Sequence, residues 1–295
     1  MIRFGGPAFV RQDTAGGMGE GRGPKVQDPY EIAAWLRGRG YRAGYAPQAS
    51  LKDTAHIRDI RKAFREADIM IAEVGYWENL IDTDETARSK NRNCMLDAMA
   101  LAEELGARCA VDILGSYVHG HGSSAHTARN FSDDAFAEAV DLARYYIDMV
   151  KPRTASFAFE IFPFSAIDSP EMLEKLVRAV DRKQFGVHLD LVNLINCPRA
   201  YWNSAEIVRD CARRFGDRIV APHVKDIKMK EPAVSVILEE VPAGQGMIDF
   251  GAYAKVLHGL PQEIPFMMEH LSGEDQYDQA AAHIRMKVRE AGIEI

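Results

Sequence analysis

Glu160, Asp190, His223 and Glu269 each close a short apolar run that reads as a β-strand. The runs cover residues 156–160, 185–190, 219–223 and 265–269. A carboxylate or imidazole ending a buried strand is costly unless something pairs with it. Four such ends on successive strand–helix units converge only if the strands close into a ring. Three carboxylates and one imidazole meeting there make an oxygen- and nitrogen-rich site for a divalent ion of the Mn²⁺, Mg²⁺ or Co²⁺ kind. Each residue alone would read as a helix cap or a solvated loop residue; four on consecutive strands would not.

The spacing fits a ring. Glu160 and Asp190 are 30 residues apart and Asp190 and His223 are 33 apart, and each interval suits one strand–helix unit of a barrel of roughly 250 residues. The interval from His223 to Glu269 is 46, so the loop after the seventh strand is expected to carry an insertion. Residues 233–238 are the expected extra strand within it. Upstream, strands are expected at 2–9, 41–46, 68–74 and 108–114, with helices at 29–37, 54–65, 86–105 and 132–149. Downstream, helices are expected at 169–180, 204–215, 250–260 and 274–291. Strands alternating with helical periodicity predict a parallel sheet with crossover helices. Eight of each over residues 1–295 predict an α/β fold, a single-domain (β/α)8 TIM barrel.

Composition narrows the function class. The chain has 295 residues, 47% of them hydrophobic, and a formal net charge of −7, without a dense Lys/Arg run. A nucleic-acid partner is therefore not expected. Cys94, Cys109, Cys197 and Cys211 show no C-x-x-C spacing, which suits reduced thiols in a cytoplasm. No apolar run approaches the roughly 18–20 residues of a membrane span, and the N-terminus lacks a signal-peptide core. A cytoplasmic chain without membrane contact is the expectation.

Other residues fall near the same face. His119, His121 and His126 share a Gly/Ser-rich loop after the fourth strand, and a loop histidine can move protons near neutrality. For His119 and His121 an ordinary surface loop is the preferred reading; His126 is the candidate general base or acid. His188 precedes Asp190 by two residues and Lys225 follows His223 by two, so both point inward. Glu73, Trp77 and Glu78 lie at and after the third strand, where they would line a pocket. His188 could orient the substrate or support the metal site from behind, with a hydrogen-bonded core histidine as the alternative; a salt bridge is the alternative for Lys225, and core or lid packing for Trp77. Gly16, Gly17, Gly19, Gly21 and Gly23 match neither a phosphate-loop nor a dinucleotide pattern, and the segment 15–24 reads as a lid or partner-contact loop.

Several strings resemble a known family. They are Phe159-Glu160-Ile161-Phe162-Pro163-Phe164, Val187-His188-Leu189-Asp190 and Pro222-His223-Val224-Lys225-Asp226, then Gly244-Gln245-Gly246 with Ile248-Asp249-Phe250, and Met268-Glu269-His270. Together they resemble the sugar phosphate isomerase/epimerase family of xylose-isomerase-like TIM barrels, which includes ketose 3-epimerases, inosose dehydratases and hydroxypyruvate isomerases. The resemblance implies that Glu160, Asp190, His223 and Glu269 bind one divalent ion, Mn²⁺ first and Mg²⁺ or Co²⁺ next. It also implies that Glu160 and Glu269 move protons.

Two departures matter. Asn193 stands where the ketose 3-epimerases carry a histidine, and Met229 where they carry an arginine. The Lys225-Asp226 pair is nearer to the dehydratase pattern. The stretch 187–196, with Pro198, Tyr201, Trp202 and Asn203, is similar to the catalytic subunits of C-glycoside deglycosidases. Residues 124–130 match a string of that subgroup in part, without its flanking prolines, which places His126 among the catalytic candidates with Glu160 and Glu269. Those enzymes cleave a 3-oxo-sugar from its aglycone by elimination and work with a small β-rich second subunit. The expected chemistry is proton removal beside a carbonyl to give an enediolate. Elimination from a 3-oxo-glycoside is the preferred exit, and isomerisation, 3-epimerisation or dehydration the alternative. His188, Lys225, Asn193 and Trp77 are the expected substrate contacts. A small β-rich subunit is the expected partner, with a homo-oligomer as the rival.

Overall fold

The computed structural model describes residues 1–10, 28–120 and 125–295. The expected lid at 15–24 and His121 lie outside the described residues. Nine parallel segments pair in the order β3-β2-β1-β11-β8-β7-β6-β5-β4. They are β1 (Ile2–Gly6), β2 (Ala43–Gly44), β3 (Met70–Ile71), β4 (Glu73–Gly75), β5 (Cys109–Asp112), β6 (Ser156–Glu160), β7 (Phe185–Asp190), β8 (Ile219–Val224) and β11 (Ile264–Met268). Only Ala72 separates β3 from β4, and its N–H donates to Gly44 O at 2.8 Å. The two segments are thus one stave, and eight staves close a (β/α)8 barrel.

Helices α1 (Pro29–Gly38), α2 (Thr54–Glu66), α3 (Glu85–Leu105), α4 (Asp133–Val150), α5 (Pro170–Val180), α7 (Ser204–Phe215), α8 (Phe250–His258) and α9 (Glu274–Glu290) surround the barrel. A short α6 (Pro198–Tyr201) precedes α7. Their starts follow from local chemistry. Asp28, Asp53, Asp84, Ser132, Ser169 and Asp249 each accept a backbone N–H of the first turn, and Pro29 and Pro170 sit where no N–H is needed. In α2, Ile57, Ile60, Ala63 and Phe64 form the buried stripe that meets the sheet. All six residues of β7 and of β8 are buried, as a parallel strand covered on both faces requires.

Small apolar side chains make the floor beneath the catalytic face. One cluster holds Cys109, Val111, Ala158, Val220 and Ala221, and another Ala43, Ala72 and Met267. Ala158 shares the face of Glu160 and Ala221 that of His223.

The insertion after the seventh stave differs from expectation. Its strands are β9 (Asp226–Met229) and β10 (Leu238–Val241), paired antiparallel with Glu239 opposite Lys228. Residues 233–237 form the connection instead of a strand. The apolar alternation there misleads because Val234, Val236 and Ile237 are exposed, whereas cross-strand charge pairing and the β9 ladder fix the register four residues on.

Candidate metal centre

Glu160 ends β6, Asp190 ends β7, His223 lies in β8, and Glu269 follows β11 by one residue. Each offers one donor atom, and the four atoms lie within 4.8 Å of one another. His223 Nδ1 stands 2.8 Å from Glu269 Oε1 and 3.3 Å from Glu160 Oε1. Its other nitrogen, Nε2, donates to Glu73 Oε1 at 3.2 Å. The imidazole is therefore ringed by carboxylates, which hold its pKa well above the usual value against the downward pull of burial.

The carboxylates divide by environment. Burial pushes Glu160 and Glu269 up, but His223 and Lys225 outweigh it; Glu160 ends well below the usual range and Glu269 at about 2. Asp190 goes the other way, to about 6, because burial outweighs the relief that Lys225 gives, and Glu160 and Glu269 add to the rise. Lys225 Nζ lies 2.5 Å from Asp190 Oδ2 and 2.7 Å from Glu269 Oε1. Burial lowers the Lys225 pKa, but its three acidic neighbours and Glu240 raise it well above the usual value.

Glu269 Oε1 is buried and accepts no directed hydrogen bond despite these short contacts. An oxygen crowded against an imidazole nitrogen and two further carboxylates is stabilised by a cation among them. Three carboxylate oxygens and one imidazole nitrogen suit a hard or borderline divalent ion. The four residues thus fit a metal, with His223 Nδ1 as its nitrogen donor.

Glu160 and Glu269 open onto a cavity of about 730 Å³, with Asp190 and His223 buried behind them. Trp77, Asn193 and Lys225 line it; Ala46, Pro47, Ala49, Ile113 and Phe162 give it an apolar wall. Trp77 Nε1 donates to Glu160 Oε2 at 2.8 Å. Asn193 Nδ2 donates to Asp190 Oδ2 at 2.9 Å and to Ile161 O at 3.0 Å, tying the ends of β6 and β7 together. Trp77 and His270 both hold positive φ, 48° and 59°. Such backbone is strained for a bulky residue, and both side chains face this cavity.

Two expected site residues sit elsewhere. His188 is fully buried and does not line the cavity; it lies under His223, with ring centroids 4.1 Å apart. Its Nε2 donates to Glu73 Oε2 at 3.0 Å. Glu73 opens β4 directly after the break at Ala72 and accepts from both imidazoles, so it takes the inner neighbour that alternation would assign to the substrate. His126 is exposed and stacks on Phe164 at 4.9 Å between centroids. Among the described residues that line the cavity it does not appear. His119 pairs with Asp82 at 2.9 Å, in keeping with a surface loop.

Glu73 was legible only as a pocket residue. The structure shows it 1% exposed and bonded to two histidines. Burial raises its pKa, but His223 and His188 outweigh that and keep it a carboxylate. The signal for this role was another acid closing an apolar run, the pattern that marked the four donors.

Among the described residues no helix is long and apolar enough to cross a membrane. The xylose isomerase-like TIM barrel family model matches residues 32–287. A protein of Escherichia coli (strain K12), SgbU, provisionally named an L-ribulose-5-phosphate 3-epimerase, is 28% identical over 218 residues, covering 71% of this chain and 70% of that protein. The fold is shared with a xylose isomerase-like TIM barrel protein of Mycobacterium smegmatis, solved in complex with magnesium. Its TM-score is 0.63 at 16% identity, covering 89% of this chain and 87% of that one. It is also shared with the 3-keto-D-glucoside 4-epimerase YcjR of E. coli, with a TM-score of 0.62 at 12% identity, covering 97% and 100%.

Proposed function

This chain belongs to the xylose isomerase-like TIM barrel family, and from that premise we propose that it is a divalent-metal-dependent enzyme acting on a keto-sugar. The observation that carries the reading is the meeting of four donor atoms within 4.8 Å, where Glu160 and Glu269 open onto the cavity. Glu160, Asp190, His223 and Glu269 would hold the ion; their mixed oxygen and nitrogen set suits Mn²⁺, Mg²⁺ or Co²⁺, and Mn²⁺ is placed first on the family resemblance. Bound there, the ion supplies Lewis-acid polarisation of the substrate carbonyl.

The residues divide the remaining work. Glu160 and Glu269 take and return the proton beside the carbonyl. Trp77 fixes the rotamer of Glu160 through its indole N–H, and Asn193 holds the β6 and β7 ends in register. Lys225 presents an ammonium to the substrate oxygen that gains charge. His126 stays the candidate acid for the leaving group on the sequence motif alone, since it stands on the loop before α4 outside the cavity lining; in that role His126→Ala should slow turnover without releasing metal. An unchanged rate removes His126 from the mechanism.

The preferred reaction is elimination from a 3-oxo-glycoside, by a catalytic subunit of the C-glycoside deglycosidase kind. The apolar wall supports it, since an aglycone needs such a surface while a bare sugar does not. Asn193 and Met229, in place of the epimerase histidine and arginine, support it too. The second reading is a 3-epimerase or an isomerase, favoured by the similarity to SgbU; an inosose-dehydratase-like dehydratase is the third.

The chain acts as one domain, in the cytoplasm; its four free cysteines support a reducing compartment. A small β-rich subunit seats near the β9–β10 hairpin, whose tip exposes Val234, Val236 and Ile237; a homo-oligomer through the same tip is the rival. Metal analysis, then a screen of 3-oxo-glycosides against simple ketoses with and without Mn²⁺ and a candidate small subunit, tests the whole. Light scattering on the same samples reads the assembly. Protein that binds no divalent ion sinks the metal reading. Full activity of the isolated chain on ketoses moves the assignment to an epimerase or isomerase.

A further inference from the structure

The charge of the sugar is legible in the structure, given the reading above that the cavity binds a keto-sugar. Barrel enzymes commonly hold a substrate phosphate on the loops after the seventh and eighth staves, with free backbone amides and a helix N-terminus as donors. Here those amides are already taken. Asp226, 1% exposed, accepts the N–H groups of Ile227, Gly244 and Gly246 at 2.9 Å and of Ile248 at 3.1 Å. The carboxylate sits where an anion would.

The glycines are shaped around it. A Cβ at Gly246 would stand 2.2 Å from Asp226 Oδ1 and 2.3 Å from Ile227 O, so only glycine lets the loop close this tightly on the carboxylate. The helix that follows, α8, is capped by Asp249, which accepts the Ala252 N–H at 2.8 Å. After the eighth stave, Ser272 N–H goes to Gln276 Oε1 at 2.9 Å, and α9 opens with Glu274 and Asp275. A phosphate arriving after the seventh stave meets occupied donors; after the eighth, α9 has no side-chain cap, but the Glu274 and Asp275 carboxylates of its first turn oppose an anion there.

Among the described residues the cavity lining offers no substitute. Among the described residues, its cationic lining is Lys225 and His270. Lys225 contacts Asp190, Glu269 and Glu240, and His270 Nδ1 lies 2.9 Å from Glu240 Oε2. Glu73, Glu160, Glu240 and Glu269 line the same space. A dianion would add like charge to this lining, where among the described residues one ammonium, Lys225, is already shared among three carboxylates.

We infer that the site takes an uncharged sugar and rejects the corresponding phosphate ester. Matched pairs test this on the Mn²⁺-loaded protein: L-ribulose against its 5-phosphate, and a 3-oxo-glucoside against its 6-phosphate. The phosphorylated member of each pair should be at least about a hundredfold poorer in kcat/KM or in calorimetric Kd. Equal or better use of the phosphorylated member overturns the inference. Each pair shares its carbonyl chemistry, so the ranking is independent of whether elimination or epimerisation follows. Binding of the uncharged members without turnover counts against the proposed reaction and leaves charge selection standing. A third arm needs no sugar. Inorganic phosphate added to the metal-free protein should show no saturable binding at millimolar concentration by phosphorus NMR; saturable binding there also overturns the inference.

Discussion

The two halves of this barrel are built differently. In the second half the staves β6, β7, β8 and β11 run five or six residues, and all four proposed metal donors sit at or just beyond their ends. In the first half β1 has five residues and β5 four, but β2 has only two and the β3–β4 stave is broken at Ala72. That half contributes Glu73 beneath the donors and Trp77, Ala46, Pro47 and Ala49 beside the cavity. Long ladders carry the donor atoms at their ends, even with the register shift between β7 and β8 at Val187 and His188, whereas the shorter segments and the break at Ala72 leave more of the chain to form walls. The contrast assigns chemistry to the second half, and support and selection to the first.

The strongest test removes charge from the second half. Glu160→Gln and Glu269→Gln each keep shape but lose basicity and one donor charge. Turnover should fall by at least about 10²–10⁴-fold, measured by single-turnover kinetics at saturating Mn²⁺. If either variant retains near-native rate, the proton-moving role belongs elsewhere.

Next comes the floor from the first half. Glu73 takes both Nε2–H groups of His188 and His223, leaving His223 Nδ1 to face the other donors. Glu73→Gln should weaken Mn²⁺ affinity by about 10–100-fold in calorimetry, with circular dichroism unchanged. Native affinity in the variant would mean that the second half organises the metal unaided.

A smaller effect is expected at the wall. Trp77→Phe removes the indole N–H from Glu160 and keeps the ring. A hydrogen bond to a charged group contributes about 1.5–3 kcal/mol, so kcat/KM should drop roughly 10–100-fold while metal content holds. Loss of metal together with activity would place Trp77 in the centre and not beside it.

The smallest effect concerns how the first half is fastened. Arg3 on β1 reaches Asp68 at 2.8 Å and Glu263 at 3.1 Å. The hydrogen bond from Arg3 holds the Asp68 carboxyl below its usual value of 3.8 against slight burial. A depressed folded-state pKa means stability present above the unfolded value and lost as pH falls through the folded one. Asp68→Asn should therefore lower the urea midpoint slightly at neutral pH and leave it unchanged where Asp68 is protonated, well below pH 4. Asp68 is largely exposed, so the change should be small. An equal loss at both pH values would rule out the ion pair as its cause.

The same asymmetry decided what the sequence could reveal. Glu160, Asp190, His223 and Glu269 stood out because each interrupts a long apolar stave, and long staves have sharp ends. The helices were legible within one or two residues for most, since caps and stripes are local; α7 runs from Ser204 to Phe215 as expected. The β2 stave did not reach its expected length because the Arg42 N–H donates to Phe4 O and the Ala46 N–H to Glu73 O without forming a longer ladder. His188 lies beneath His223, in the core alternative of its sequence reading, and its partner could not be read because Glu73 is 115 positions away, a contact of a range that leaves no periodic trace. The hairpin was misplaced by an apolar pattern with nothing to bury it.

Trp77 gives this protein a built-in optical probe. It is one of three tryptophans, with its indole N–H on Glu160 and its ring centroid 6.4 Å from that of His223. Trp35 lies against Arg39 on α1 and the adjoining turn, and Trp202 is exposed beside Tyr201. With those two replaced by phenylalanine, emission would come from the edge of the cavity alone. A paramagnetic Mn²⁺ ion would quench it and a diamagnetic Mg²⁺ ion would not. Occupancy of the centre could then be followed in real time, before any substrate is known.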